Sequence, residues 1–151
     1  MAKVYRNYRK DEIAAQMLDT ALDLWFKGGD GFSIIHLAAA AEEVLVGLIK
    51  HEKNESDNSS VQTAGEKTIS ALEKLHEIHG TKRSKKEIRT YLNLVRNKTK
   101  HHTPKSDPIM LSACLALEVE GTVFRAIENY MLYFRNLTDK MTRYINQNTP
   151  N

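Results

Sequence analysis

One cysteine, Cys114, stands among the 151 residues of the chain. An intramolecular disulfide is therefore impossible, and a cysteine-rich zinc site is excluded with it. Long apolar runs are missing too: the richest, FSIIHLAAAA, is interrupted by Glu42 and Glu43 and reads as too short to span a bilayer. The opening MAKVYRNYRKDE is charged with no apolar stretch behind it, which is not the pattern of a signal peptide. The expectation is a soluble cytoplasmic protein without membrane contact. Nor is there a phosphate-cradling glycine loop, since KGGDG (residues 27–31) lacks the lysine and the strand-then-helix setting such a loop needs. Strand alternation is absent as well, and helical periodicity takes its place throughout.

With 41% hydrophobic and 27% charged residues, the composition is that of an ordinary globular protein. The length suits one domain over residues 1–151, with 1–8 and 146–151 expected to fray. A first helix is predicted over 9–26, with Ile13, Met17, Ala21 and Trp25 on one side and Leu18 and Leu22 beside them. Paired glycines stop it, and Asp30 is placed to cap a second helix over 32–51. Ile34, Ala38, Ala41, Leu45 and Leu48 form the apolar stripe of that helix. A polar loop over 53–63 precedes a helix over 65–79 that Gly80 ends. Ser84 and Glu87 form a capping box for the next helix, whose buried side is read as Ile88, Tyr91, Leu92 and Val95. Asp107 and Pro108 read as the start of the last long helix, lined by Met110, Ala113, Leu117, Phe124, Ile127, Met131 and Phe134. In that setting Cys114 is expected to be a small core or interface hydrophobe. A short helix over 138–145 completes an all-α, antiparallel bundle of five or six helices.

Positive charge is concentrated. Residues 81–105 hold nine Lys or Arg against Glu87 alone, whereas the whole chain has a net charge of only +3. The body outside this stretch is thus net acidic, a distribution that favours an anionic partner over general stickiness. Lys82, Arg83, Lys85, Lys86, Lys98 and Lys100 are the candidate phosphate contacts; the plainer account of each is a solvated lysine or arginine. Tyr91 is the sole aromatic in the stretch, so base-stacking recognition of a single strand is not expected.

Within this stretch lies RNKTKH (residues 96–101), followed by a second histidine and Pro104. On a regular helix a five-residue offset turns Arg96 and His101 about 140° apart. They converge only where the helix ends or tightens, and Thr103, pushed out of the α region by Pro104, sets such an end nearby. The simplest reading is a helix C-terminus in which arginine and histidine satisfy the last carbonyls and the dipole.

Arg-Asn-x-x-x-His resembles the signature of the HEPN superfamily of helical nucleotide-binding domains. The stretch HLAAAAEEVLVGLI (residues 36–49) is similar to the alanine-rich, Glu-Glu-bearing second helix of bacterial HEPN-like proteins. The resemblance covers residues 9–144. It implies metal-independent RNA cleavage, in many members by dimers that bring two motifs into one cleft, and also inactive binding or scaffold proteins. By this resemblance His101 is the general acid or base, Arg96 the phosphate clamp and Asn97 the positioning residue, with His102 in reserve. Histidine exchanges a proton near neutrality, and the forked guanidinium suits a phosphate. Glu42 or Glu43 is a candidate partner holding Arg96 across the bundle; the plainer expectation for both is a solvated helix face.

His76 and His79 stand three apart, yet no cysteine or carboxylate pattern completes a site, so neither a metal nor another cofactor is expected. The last long helix carries large groups on two sides: Phe124 and Met131, and Val123, Tyr130 and Tyr133. Such a helix is either central to the bundle or shared in a homodimer. Two functions follow as expectations. One is an RNA-cutting toxin or defence component, with an antitoxin or other protein as partner. The other is a non-catalytic HEPN-like module binding RNA, a nucleotide or a protein.

Overall fold

The computed structural model describes residues 6–55, 61–100 and 111–149, and they are all-helical, with no strand among them. Seven helices follow in order: α1 (Lys10–Phe26), α2 (Gly31–Glu55), α3 (Ala64–Ile78), α4 (Lys85–Leu92), α5 (Leu94–Lys100), α6 (Leu115–Phe134) and α7 (Asp139–Asn148). The number exceeds the expected five or six because the helix foreseen after Ser84 divides at Asn93. There the backbone N–H and the side-chain amide both donate to the Arg89 carbonyl, at 3.2 and 2.9 Å. The N–H still makes the helical bond and the side chain adds a second onto the same carbonyl, and φ −107°, ψ 10° marks the break.

Local chemistry explains the other ends. Gly28 takes φ +66°, which reverses the chain cheaply because no Cβ crowds the carbonyl, and the Gly29 N–H returns to the Leu24 carbonyl at 2.7 Å. Asp30 accepts the Ser33 N–H at 2.8 Å and caps α2 as foreseen. Capping boxes open both α3, through Thr63 and Glu66, and α4, through Ser84 and Glu87.

α2 is the central rod, packed between α1 and α6. Leu18 and Leu22 of α1, Ile35 and Leu45 of α2, Val123 of α6 and Tyr144 of α7 are fully or almost fully buried. The residues 38–41 are all alanine, small enough to bring neighbouring backbones close. By length and composition Gly31–Lys53 is apolar enough to cross a membrane, more so than the interrupted run suggested. A helix enclosed by two others in a core has the same composition, and α2 is so enclosed.

The last long helix begins later than foreseen. Asp107, Pro108 and Met110 lie outside the described residues, residues 111–114 are not helical, and α6 starts at Leu115. Cys114 is consequently an exposed N-cap residue and not a core hydrophobe. The buried face of α6 is Val119, Val123, Ala126, Ile127 and Tyr130, which leaves Leu117 67% and Met131 43% exposed. Its second apolar side is covered only in part within the same chain: Phe124 meets the Tyr144 ring of α7 edge-on at 5.5 Å, while Met131 stays exposed. Tyr91 is also outward, 62% exposed, while Ile88 and Val95 are buried. With α4 only eight residues long and α5 a separate unit, no single stripe buries all four residues assigned to it. In α1 the buried line is Ala14, Leu18, Ala21 and Leu22, with Ile13, Met17 and Trp25 at its half-buried margin.

Candidate functional site

α5 is docked on α2 through Val95, which is buried in the core. That anchor presents the next residue, Arg96, to α2, where its Nη2 meets Glu43 Oε1 at 2.7 Å. The arginine side chain is 17% exposed and the glutamate 54%, so the pair sits at the rim. Three residues on, Thr99 Oγ1 lies 2.9 Å from His36 Nε2, also on α2. Along α5 the order is Arg96 then Thr99, while along α2 their partners run Glu43 then His36, so the helices cross in opposite senses.

Seven residues separate His36 from Glu43, and seven more lead to Lys50. This spacing returns a side chain to nearly the same side of a helix, about 20° off after two turns. The stripe therefore faces α5 twice and then α3, where Lys50 reaches Glu66 at 3.7 Å.

Glu42, one residue aside, does something different. Its Oε1 accepts from Arg125 Nε on α6 at 3.1 Å, and each side chain is only 12% exposed. The solvated face expected for the two glutamates thus holds for neither in full: Glu42 is buried in an ion pair and Glu43 half-covered in another. Desolvation raises the Glu42 carboxyl above the usual carboxylate range, against the opposing pull of Arg125 and the more distant Arg96. Sequence reading missed Arg125. The signal was an arginine set between Phe124 and Ala126 in an otherwise apolar stretch, a position that demands a buried carboxylate.

These pairs wall a cleft of about 320 Å³ among α2, α3, α4, α5 and α6. Lys50, Arg89, Arg96 and Arg125 supply its positive groups, and Glu42, Glu43 and Glu66 its negative ones. The Arg96 Nε is buried and has no hydrogen-bond partner in the structure, although the Nη2 of the same fork is engaged. A buried N–H without an acceptor is rare and costly, so the Arg96 fork is held here less than fully satisfied.

The remaining sequence candidates fall in separate places. Asn97 is exposed, its backbone N–H bonded to the Asn93 carbonyl at 2.9 Å. His101 and His102 lie outside the described residues. Lys98 and Lys100 are exposed on α5. Lys82, Arg83, Lys85 and Lys86 are exposed around the start of α4, with Lys85 3.6 Å from Glu73 of α3. α4 is eight residues long, so this cluster stands about 12 Å along the chain axis from α5. His76 Nδ1 lies 3.1 Å from Thr81 Oγ1, and among the described residues no group of three or more His, Cys, Asp or Glu is placed to hold a metal ion.

No protein-family model, no curated protein and no solved structure matches the chain.

Proposed function

We propose that the chain is a HEPN-like endoribonuclease that cuts RNA without a metal, a cytoplasmic toxin or defence component whose partner is an antitoxin or another protein. The observation that carries this reading is the state of Arg96: drawn onto the cleft wall by Glu43, with a buried, unpartnered Nε. In the proposed reaction the RNA 2′-hydroxyl loses its proton and attacks the adjacent phosphorus. A 2′,3′-cyclic phosphate forms as the 5′-oxygen departs with a proton. Arg96 binds the non-bridging oxygens, whose charge is greatest in the transition state, and His101 carries one of the two protons. Asn97 positions the phosphate, with His102 able to stand in for His101. Lys82, Arg83, Lys85, Lys86, Lys98 and Lys100 hold the flanking phosphates without reading sequence. A homodimer, as the resemblance implies, brings two such motifs together.

The test is cleavage of RNA in excess EDTA, with the ends of the products identified. Cyclic phosphate ends are expected, and Arg96→Ala and His101→Ala should each abolish cutting while circular dichroism stays unchanged. Cutting that survives both substitutions removes the assignment. One observation favours the non-catalytic alternative, a module that binds RNA, a nucleotide or a protein: Glu43 already occupies one edge of the Arg96 fork. That alternative is chosen if RNA is bound and left intact.

A further inference from the structure

Cleavage by 2′-hydroxyl attack needs two proton transfers, one from the nucleophile and one to the leaving oxygen. The proposed reaction gives His101, with His102 in reserve, only one of these two transfers. The structure puts another imidazole at the same helix seam. His36 reaches α5 through Thr99, a residue within one turn of Arg96, and stands on the α2 stripe that also carries Glu43.

The hydrogen bonding fixes how this ring is held. Thr99 Oγ1 has one proton and three acceptors in reach: the Val95 carbonyl at 2.8 Å, the Arg96 carbonyl at 3.1 Å and His36 Nε2 at 2.9 Å. When that proton goes to the backbone, the threonine oxygen accepts from His36, in the tautomer that carries its hydrogen on Nε2. Nε2 is thus the ring nitrogen tied to α5, and Nδ1 the one turned away from Thr99. A ring whose inner N–H is anchored to an acceptor can hold a second proton on its outer nitrogen without moving, which is the arrangement a general acid needs. The residue is only partly buried.

We propose that His36 is a second catalytic histidine, the general acid that protonates the departing 5′-oxygen from Nδ1. The inference rests on the ribonuclease reading above. The balance is complete within the chain. The 2′-oxygen–phosphorus bond forms and the phosphorus–5′-oxygen bond breaks. The 2′-hydroxyl proton passes to the base, and the His36 Nδ1 proton passes to the 5′-oxygen. The products are a cyclic phosphate and a 5′-hydroxyl, with no water consumed.

Two substrates of one sequence test it under single-turnover conditions in EDTA: ordinary RNA, and RNA with sulfur in place of the scissile 5′-oxygen. A thiolate leaves without being protonated, so a missing general acid does not slow that substrate. His36→Gln is the chosen variant, because the amide can still donate to Thr99 but cannot transfer a proton. It should cut ordinary RNA slower by on the order of 10²-fold and the sulfur substrate at close to the wild-type rate. His36→Ala should show the same split, and circular dichroism should report an intact helical fold for both. Equal slowing on both substrates would assign His36 a structural or basic role and overturn the proposal, as would no slowing on either. If wild type cuts and Arg96→Ala does not, an unaffected His36→Gln removes this inference and leaves the ribonuclease standing. If wild type cuts neither substrate, the ribonuclease reading falls and this one with it.

Discussion

Adjacent glutamates in a helix differ by about 100° in direction, and that rotation gives Glu42 and Glu43 different lives. Glu42 turns inward to Arg125, both nearly covered, while Glu43 turns to the rim and Arg96. Removing one member of a buried pair strands the other charge, so Arg125→Met should cost about 3–5 kcal/mol in urea unfolding. The pH dependence has a definite sign. Because burial lifts the Glu42 carboxyl, the folded chain keeps its proton to higher pH than the unfolded chain does. That contribution to stability is complete below the ordinary carboxylate range and is lost as pH rises through the elevated native value. Glu42→Gln lacks it, so the difference in unfolding free energy should move in the variant's favour between acidic and neutral pH. A gap that stays constant, or moves the other way, contradicts the desolvated state assigned to Glu42. The two glutamates were legible in the sequence as a pair, and so was a possible contact with Arg96. Which of them goes inward was not, because that depends on where α6 crosses α2.

Among the helices, α3 is secured in an unusual place. Asn129 of α6, wholly buried, accepts the Ala64 N–H at 2.9 Å, so a residue distant in sequence satisfies the first turn of α3. The same turn has its own capping box from Thr63 and Glu66. Asn129→Ala should therefore loosen α3 selectively: amide hydrogen exchange should quicken there by about tenfold or more while α1 and α2 keep their protection. Uniform acceleration across all helices would refute a local role. The box at Ser84 and Glu87 was readable from its spacing, and TAGE (residues 63–66) offers the same signal, obscured by the polar run ahead of it. The division at Asn93 was not readable. Asparagine is tolerated inside helices, and nothing in its spacing announces the backbone break at φ −107°. The late start of α6 has a similar origin: Asp107 and Pro108 make a good initiation pair, yet helix by itself does not say where packing on α2 begins.

For the whole molecule, the relevant asymmetry is electrostatic. A basic stretch on a net acidic body should bind polyanions chiefly through counterion release. RNA affinity should fall by roughly 10²-fold or more between 50 and 200 mM salt, with a linear logarithmic slope. Replacing Lys82 and Lys86 together by alanine should flatten that slope by about 1.5–2 units, whichever sequence is bound. An affinity indifferent to salt would point instead to a protein partner. Class of fold and location of charge were both evident before any coordinates, since periodicity and composition need no tertiary context. The divided character of the basic surface was not: Lys82 and Arg83 stand ahead of α4 and Lys85 and Lys86 in its first turn, while Arg89 and Arg96 line the cleft.

Finally, the unbroken course of α2 makes its side chains behave like teeth on a single key. His36, Glu43 and Lys50 engage their partners only while the seven-residue interval between them is kept. Dropping one residue between the first two teeth would swivel everything behind it by about 100°. Every atom of the imidazole and carboxylate would survive, but they would no longer address the same neighbour. Evolution of this chain is accordingly freer to change letters along that rod than to change its length.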